Sequence, residues 1–224
     1  MDGGVGGIRS PAFRPLRIAL ADDHAVVRKG YRRLLELEDD MQVVAEFGDG
    51  DGVYAWLRDN PVDVLVLDLS MPGRSGLDVL QRLMQRGDAV RVLVFTMHES
   101  AALAGQALAL GACGYLTKSS APEALTDAVR EVARGRRVVA AGLDRDPATG
   151  QAPHRQLSPR EFEVFLLLAE GDAVERIART LRLSEKTVAN YQTTIRQKTG
   201  LGSALEMYRY ALAHGLVEAP LLRA

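Results

Sequence analysis

The chain has 224 residues, 47% of them hydrophobic and 25% charged, with a net charge of −1, which suits one large or two small globular domains and excludes a disordered or fibrous chain. A single cysteine, Cys113, lies in an apolar run; it excludes an intrachain disulfide and a cysteine-rich metal site and reads as a buried thiol. No apolar stretch reaches membrane-spanning length and the first fifteen residues lack a secretory apolar core, so a cytoplasmic protein with no membrane partner is expected.

Residues 1–14, rich in Gly and Pro, read as a disordered tail. From Leu16 onward, short apolar runs alternate with amphipathic stretches. Strands are predicted at 16–21, 41–47, 62–68, 90–96 and 113–117, and helices at 26–37, 50–58, 76–85, 101–110 and 122–134. Five strand–helix repeats with near-continuous apolar strands predict an α/β domain at 15–139. Its five-stranded parallel sheet is doubly wound and flavodoxin-like, in the order 2-1-3-4-5.

The repeat stops after Val138. Residues 140–155 are small and polar, carry prolines and read as a linker. Residues 156–224 are helical only, an all-α domain of four helices. Ser158, Pro159 and Glu161 form a capping signature, Gly171 closes the first helix, and Ser184 and Gly200 bracket the third. From His154 to the end, ten Lys and Arg face eight Asp and Glu, a net of +2, and the rest of the chain carries −3. That asymmetry has the sign expected of a nucleic-acid-binding C-terminal part, though it is small.

Polar residues gather where the strands end: Asp22 and Asp23, Asp68, Thr96, then Thr117 and Lys118. Each alone has an ordinary explanation as a cap, a turn, a strand residue or a surface charge. In a doubly wound sheet, however, the carboxyl ends of the strands form one ligand-binding edge. Clustered carboxylates call for a hard divalent cation, and oxygen-only ligands favour Mg²⁺. A carboxylate can attack phosphorus, and the transferred group then needs charge neutralisation.

The stretches ADDH, VLDLSMPGRSG, VFTMH and GYLTK resemble the receiver signatures of two-component response regulators, over about residues 16–137. The resemblance implies a phosphoacceptor at Asp68, supplied by a sensor histidine kinase. It further implies Mg²⁺ held by Asp23, Asp68 and the Ser70 carbonyl, with Asp22 acting largely through water. Thr96 becomes the switch hydroxyl, Lys118 the phosphate-binding lysine and Tyr115 the switch aromatic. His24 and His98 border the site and read as a helix-start and a loop residue.

Residues 175–200 read as a helix, a short turn and a longer helix. Ile177, Ala178, Leu181, Leu183, Val188, Tyr191 and Ile195 form the inner face, while Lys186, Thr187, Asn190, Thr193, Gln197 and Lys198 form the outer. Amides, hydroxyls and cations are the groups that read base edges and grip phosphates. LSPRE, EVFLLLAEG, IARTLRLSEKTV and KTG are similar to the LuxR/NarL-type output domain, over 157–217. That resemblance implies double-stranded DNA as partner, with base readout by Asn190 and Thr193 and phosphate contacts from Lys186, Thr187, Arg196 and Lys198. It also implies a homodimer paired through the last helix, where Leu205, Tyr208, Tyr210 and Leu212 share core and seam. The chain departs from the family pattern at Ala189, Tyr191 and Ala204, where lysine, histidine and arginine are usual, so the target sequence does not carry over.

The expectation is a phosphorylation-controlled transcription factor and not an enzyme. An aspartyl phosphohydrolase of the haloacid dehalogenase class would carry an acid two residues after its nucleophile; this chain has Ser70 there. An output domain that binds protein or RNA is the remaining alternative.

Overall fold

A computed structural model describes residues 14–143 and 152–217. The expected tail lies outside this range apart from Arg14, whose guanidinium holds Asp63 at 3.0 Å. The middle of the expected linker and the last seven residues also lie outside it.

The strands are β1 (Leu16–Ala21), β2 (Met41–Phe47), β3 (Val64–Leu67), β4 (Arg91–Thr96), β5 (Gly114–Thr117) and β6 (Val138–Val139). They form one sheet in the order β2-β1-β3-β4-β5-β6, with every pairing parallel. The expected order holds, and the sheet has six strands where five were expected. Only two residues make β6, too few for a period-2 pattern to register. Gly114 admits the added strand closely: a Cβ there would lie 3.0 Å from the Val138 carbonyl oxygen and 2.8 Å from Leu93.

Helices α1 (Ala25–Leu35), α2 (Gly50–Trp56), α3 (Gly76–Arg86), α4 (Ala101–Ala109) and α5 (Pro122–Ala133) cover both faces. Burial on both sides explains why β3 has no polar alternation: Val64, Leu65, Val66 and Leu67 are all buried. One apolar cluster fills the α2–α3–α4 side and the other the α1–α5 side. In α3, Leu77, Val79, Leu80 and Leu83 reach 0% exposure, each stabilising by about 1.5–3 kcal/mol. Ser75 caps the start of α3 and Gly87 ends it in the left-handed conformation.

The C-terminal domain holds α6 (Pro159–Ala169), α7 (Val174–Leu181), α8 (Glu185–Thr199) and α9 (Ala204–Ala213). The expected capping box forms at Ser158 and Glu161, and a second forms at Ser203 and Glu206. The stretch read as linker ends in structure: Pro153–Gln156 is a 3-10 turn. Its His154 is buried, with Nδ1 2.9 Å from the Tyr210 hydroxyl and the ring against Phe162 and His214. This turn packs as part of the C-terminal domain. A Pro-containing polar stretch hides such a turn, because a single histidine carries its packing.

Helix α6 rests on α3 of the first domain. Beside that contact lies a cleft of about 920 Å³, lined by Met97, His98 and Leu103 on one side and Glu163, Leu166 and Leu216 on the other.

Candidate functional site

The backbone brings the strand ends into line. The Asp68 N–H donates to the Ala21 carbonyl at 2.8 Å, placing Asp68 beside the end of β1. The Lys118 N–H donates to the Thr96 carbonyl at 2.8 Å, joining the ends of β4 and β5. The loop after Asp68 folds back tightly: the Gly76 N–H donates to the Leu69 carbonyl at 3.0 Å. A Cβ at Gly76 would sit 2.2 Å from the Asp68 carbonyl oxygen, so only glycine lets this loop close.

The side chains then converge. Lys118 Nζ donates to Asp68 Oδ2 at 2.6 Å and to Asp22 Oδ2 at 2.7 Å. All three side chains are almost fully buried. Burial opposes the Lys118 charge, but Asp68 and Asp22 outweigh it and hold the ammonium above its ordinary range. Ligand atoms of Asp22, Asp23, His24 and Asp68 all lie within 4.8 Å of one another. The Asp23 side chain is 1% exposed and forms ion pairs with His24, at 2.7 Å, and with Arg182. His24 faces one of its carboxylate oxygens and Arg182 the other. Burial drives the Asp23 carboxyl above its usual range; His24 and Arg182 pull it down, while Asp68 and Asp22 push it further up. Three carboxylates whose oxygens gather within 4.8 Å, two of them almost fully buried around one ammonium, form a hard oxygen set of the kind that suits Mg²⁺.

The other expected receiver residues lie around this centre. The Ser70 N–H donates to Asp68 Oδ1 at 3.3 Å, and its hydroxyl lies 2.8 Å from His98 Nε2. Thr96 is fully buried at the end of β4, and its hydroxyl accepts a long 3.5 Å contact from the His98 N–H. Tyr115 is also fully buried, and its hydroxyl donates to the His98 carbonyl at 2.9 Å. Burial lowers the His98 pKa, with Asp68 acting against it and Lys118 and Arg160 with it. His98 is therefore a structural hub joining the Ser70 loop to Tyr115, more than the loop residue expected. His24 does start α1, as expected, and its ring also faces Asp23.

In the helix-turn-helix, Ile177, Ala178, Leu181, Val188 and Ile195 are buried as expected. Lys186, Asn190, Thr193 and Arg196 are exposed along α8. Thr187 is half-buried, with its hydroxyl 2.7 Å from the Ser184 hydroxyl at the helix cap. The Thr193 hydroxyl donates back to the Ala189 carbonyl at 3.0 Å. Lys198 Nζ donates to Glu161 at 2.6 Å, which ties α8 to the capping box of α6. Arg182, in the turn before α8, also reaches the acidic site; in the sequence a single arginine between helices carries no signal of a partner in another domain.

Two family models match the chain: the response regulator receiver domain over residues 18–130, and bacterial regulatory proteins of the luxR family over 155–211. The Escherichia coli transcriptional regulatory protein UhpA is 41% identical over 196 residues, covering 87% of this chain and 96% of UhpA. The E. coli response regulator UvrY is 33% identical over 214 residues, covering 92% of this chain and 98% of UvrY. Among solved structures, Salmonella RcsB bound to the rprA promoter with the phosphomimetic BeF3- matches with a TM-score of 0.60. Its identity is 29%, over 88% of this chain and 98% of RcsB. A receiver at one end, a luxR-family domain at the other and near-full-length relatives that regulate transcription identify the protein: the chain belongs to the LuxR-type response regulators, which are transcription factors and not enzymes.

Proposed function

We propose that Asp68 takes a phosphoryl group from a sensor histidine kinase and that this controls binding of promoter DNA by α8. The observation that carries the proposal is the Lys118 ammonium joining Asp68 to Asp22 within the acidic cluster that Asp23 completes. In the transfer, an Asp68 carboxylate oxygen forms the new O–P bond as the P–N bond of a phosphohistidine breaks and the imidazole leaves. Asp23, Asp68 and the Ser70 carbonyl, with Asp22 acting largely through water, would hold Mg²⁺, which would neutralise charge on the phosphoryl oxygens. Lys118 gives up its bond to Asp68 and takes a phosphoryl oxygen, and the Thr96 hydroxyl takes another. Movement of Thr96 draws on the His98 N–H and through His98 on Tyr115, so the three act as the switch.

On the DNA side, the exposure of Asn190 and Thr193 supports base readout, and that of Lys186 and Arg196 supports phosphate contact. Thr187 contributes from the helix cap. The phosphate role for Lys198 requires it to leave Glu161. RcsB, a relative, is bound to promoter DNA in its solved complex; for this chain, duplex DNA in the cytoplasm is the proposed target. Leu205 and Leu212 are exposed on α9, which supports a homodimer seam there. Incubation with a small phosphodonor tests the proposal: one phosphate should appear by intact mass, only with Mg²⁺ present and not in Asp68→Asn.

A further inference from the structure

Arg182 differs from its surroundings in two respects. Among the described residues it is the only non-glycine with positive φ, at 52°. Its guanidinium also leaves its own domain and enters the acidic site of the other. The residue caps α7, where the left-handed conformation ordinarily selects glycine or asparagine. The Leu183 N–H closes this cap on the Ala178 carbonyl at 2.8 Å. From there the side chain pairs with the Asp23 carboxylate and lies 3.2 Å from His24 Nε2.

Asp23 therefore presents one buried carboxylate to two kinds of cation. Its oxygens belong to the group of Asp22, His24 and Asp68 atoms able to surround an ion. The same oxygens are occupied by a guanidinium from the C-terminal domain. Lys118 already supplies one fixed positive charge in this site. A divalent ion brought against Asp23 would face Arg182 at contact distance, where like charges repel strongly in a buried setting.

We propose that Arg182 and a divalent cation compete for Asp23, so that filling the cation site releases the turn between α7 and α8 from the receiver. The inference rests on the reading of Asp22, Asp23 and Asp68 as cation ligands. The turn that is released leads directly into the Ser184 cap of α8, the end that a helix-turn-helix presents to the major groove. Once free, Arg182 adds a cation to that end, suited to a DNA phosphate. The cleft beside α6 leaves the domain interface open along one side. Linkage makes the effect reciprocal: docking weakens cation binding by the same factor by which the cation weakens docking.

Mn²⁺ binding to the full-length protein, followed by electron paramagnetic resonance, tests this. Arg182→Gly and Arg182→Asn both remove the charge and keep a residue that accepts the left-handed backbone. Each should bind Mn²⁺ about 5- to 10-fold more tightly than the wild type. Saturating Mg²⁺ should also speed hydrogen exchange across residues 180–186 in the wild type and leave it unchanged in the variants. Asp23→Asn distinguishes the ligand set from the competition for it. If it loses Mn²⁺ while both Arg182 variants bind as the wild type does, the ligand set stands and the competition is overturned. If Asp23→Asn binds Mn²⁺ normally, the ligand set itself is wrong and the competition falls with it.

Discussion

Arg160 Nη1 donates to the Glu163 carboxylate at 2.6 Å, in a fully buried pair on α6 beside Ser75 and Asp78 of the receiver. Arg160 also donates to the Leu181 carbonyl at 2.7 Å, so the pair anchors the end of α7 as well. Burial raises the Glu163 pKa to about 7, against the pull of Arg160. A raised carboxyl binds its proton more tightly in the folded state. Its contribution to stability is complete below the ordinary value of 4.5 and declines as pH rises towards about 7. Glu163→Gln should flatten that decline. Thermal melts should show the variant equal to the wild type near pH 4.5 and a few degrees higher at pH 8. Parallel curves for the two proteins would contradict this.

Asp23 is a second group whose charge the fold opposes, through burial first and then through Asp68 and Asp22. The sign is the same: stability is lost as pH rises through its elevated folded pKa. Without divalent cation at neutral pH, Asp23→Asn should melt a few degrees above the wild type. Excess Mg²⁺ should raise the wild-type melting temperature and leave the variant unmoved. A variant that melts lower in chelator would show that the ion pairs with His24 and Arg182 outweigh desolvation.

Lys198 is bonded to Glu161, whose other hydrogen bond completes the capping box of α6. Lys198→Ala should therefore destabilise the C-terminal domain by about 1 kcal/mol, the scale of a partly exposed pair. Arg196→Ala should lower the salt dependence of DNA binding more than Lys198→Ala does, since both are exposed on α8 but Lys198 is tied to Glu161. Competition binding across a salt series decides between them; equal slopes for the two variants would return Lys198 to the phosphate contacts.

Asn190 is exposed on the outer face of α8, and its amide has the donor and acceptor needed to read a base edge. Asn190→Ala should cost about 1–3 kcal/mol at the preferred sequence and much less on random duplex. Selection from a random DNA pool checks this: an unchanged selected site would mean that another face of α8 meets the bases.

Much of the receiver was legible because its chemistry sits at repeating positions. Asp22, Asp68 and Lys118 each follow an apolar strand and Thr96 closes one, and parallel strands bring such residues to one edge. The capping of α6 was legible for a similar reason, since Ser158, Pro159 and Glu161 act within one turn of chain. Features that depend on packing between distant segments were not. The strand β6 is two residues long and exists only through Gly114 and Tyr115. The turn at Pro153–Gln156 depends on one buried histidine meeting Tyr210, 56 residues away. Arg182 reaches Asp23 across 159 positions and two domains, and no local pattern encodes that reach.

Control of DNA binding by phosphorylation of Asp68 is tested most directly by comparing the DNA affinity of the full chain with and without phosphodonor and Mg²⁺. The wild type should bind its selected duplex at least about tenfold more tightly after phosphorylation, a coupling of about 1.4 kcal/mol. Asp68→Asn should show no change with the donor. A wild-type affinity that ignores phosphorylation, or an Asp68→Asn protein that responds as the wild type does, would contradict the account.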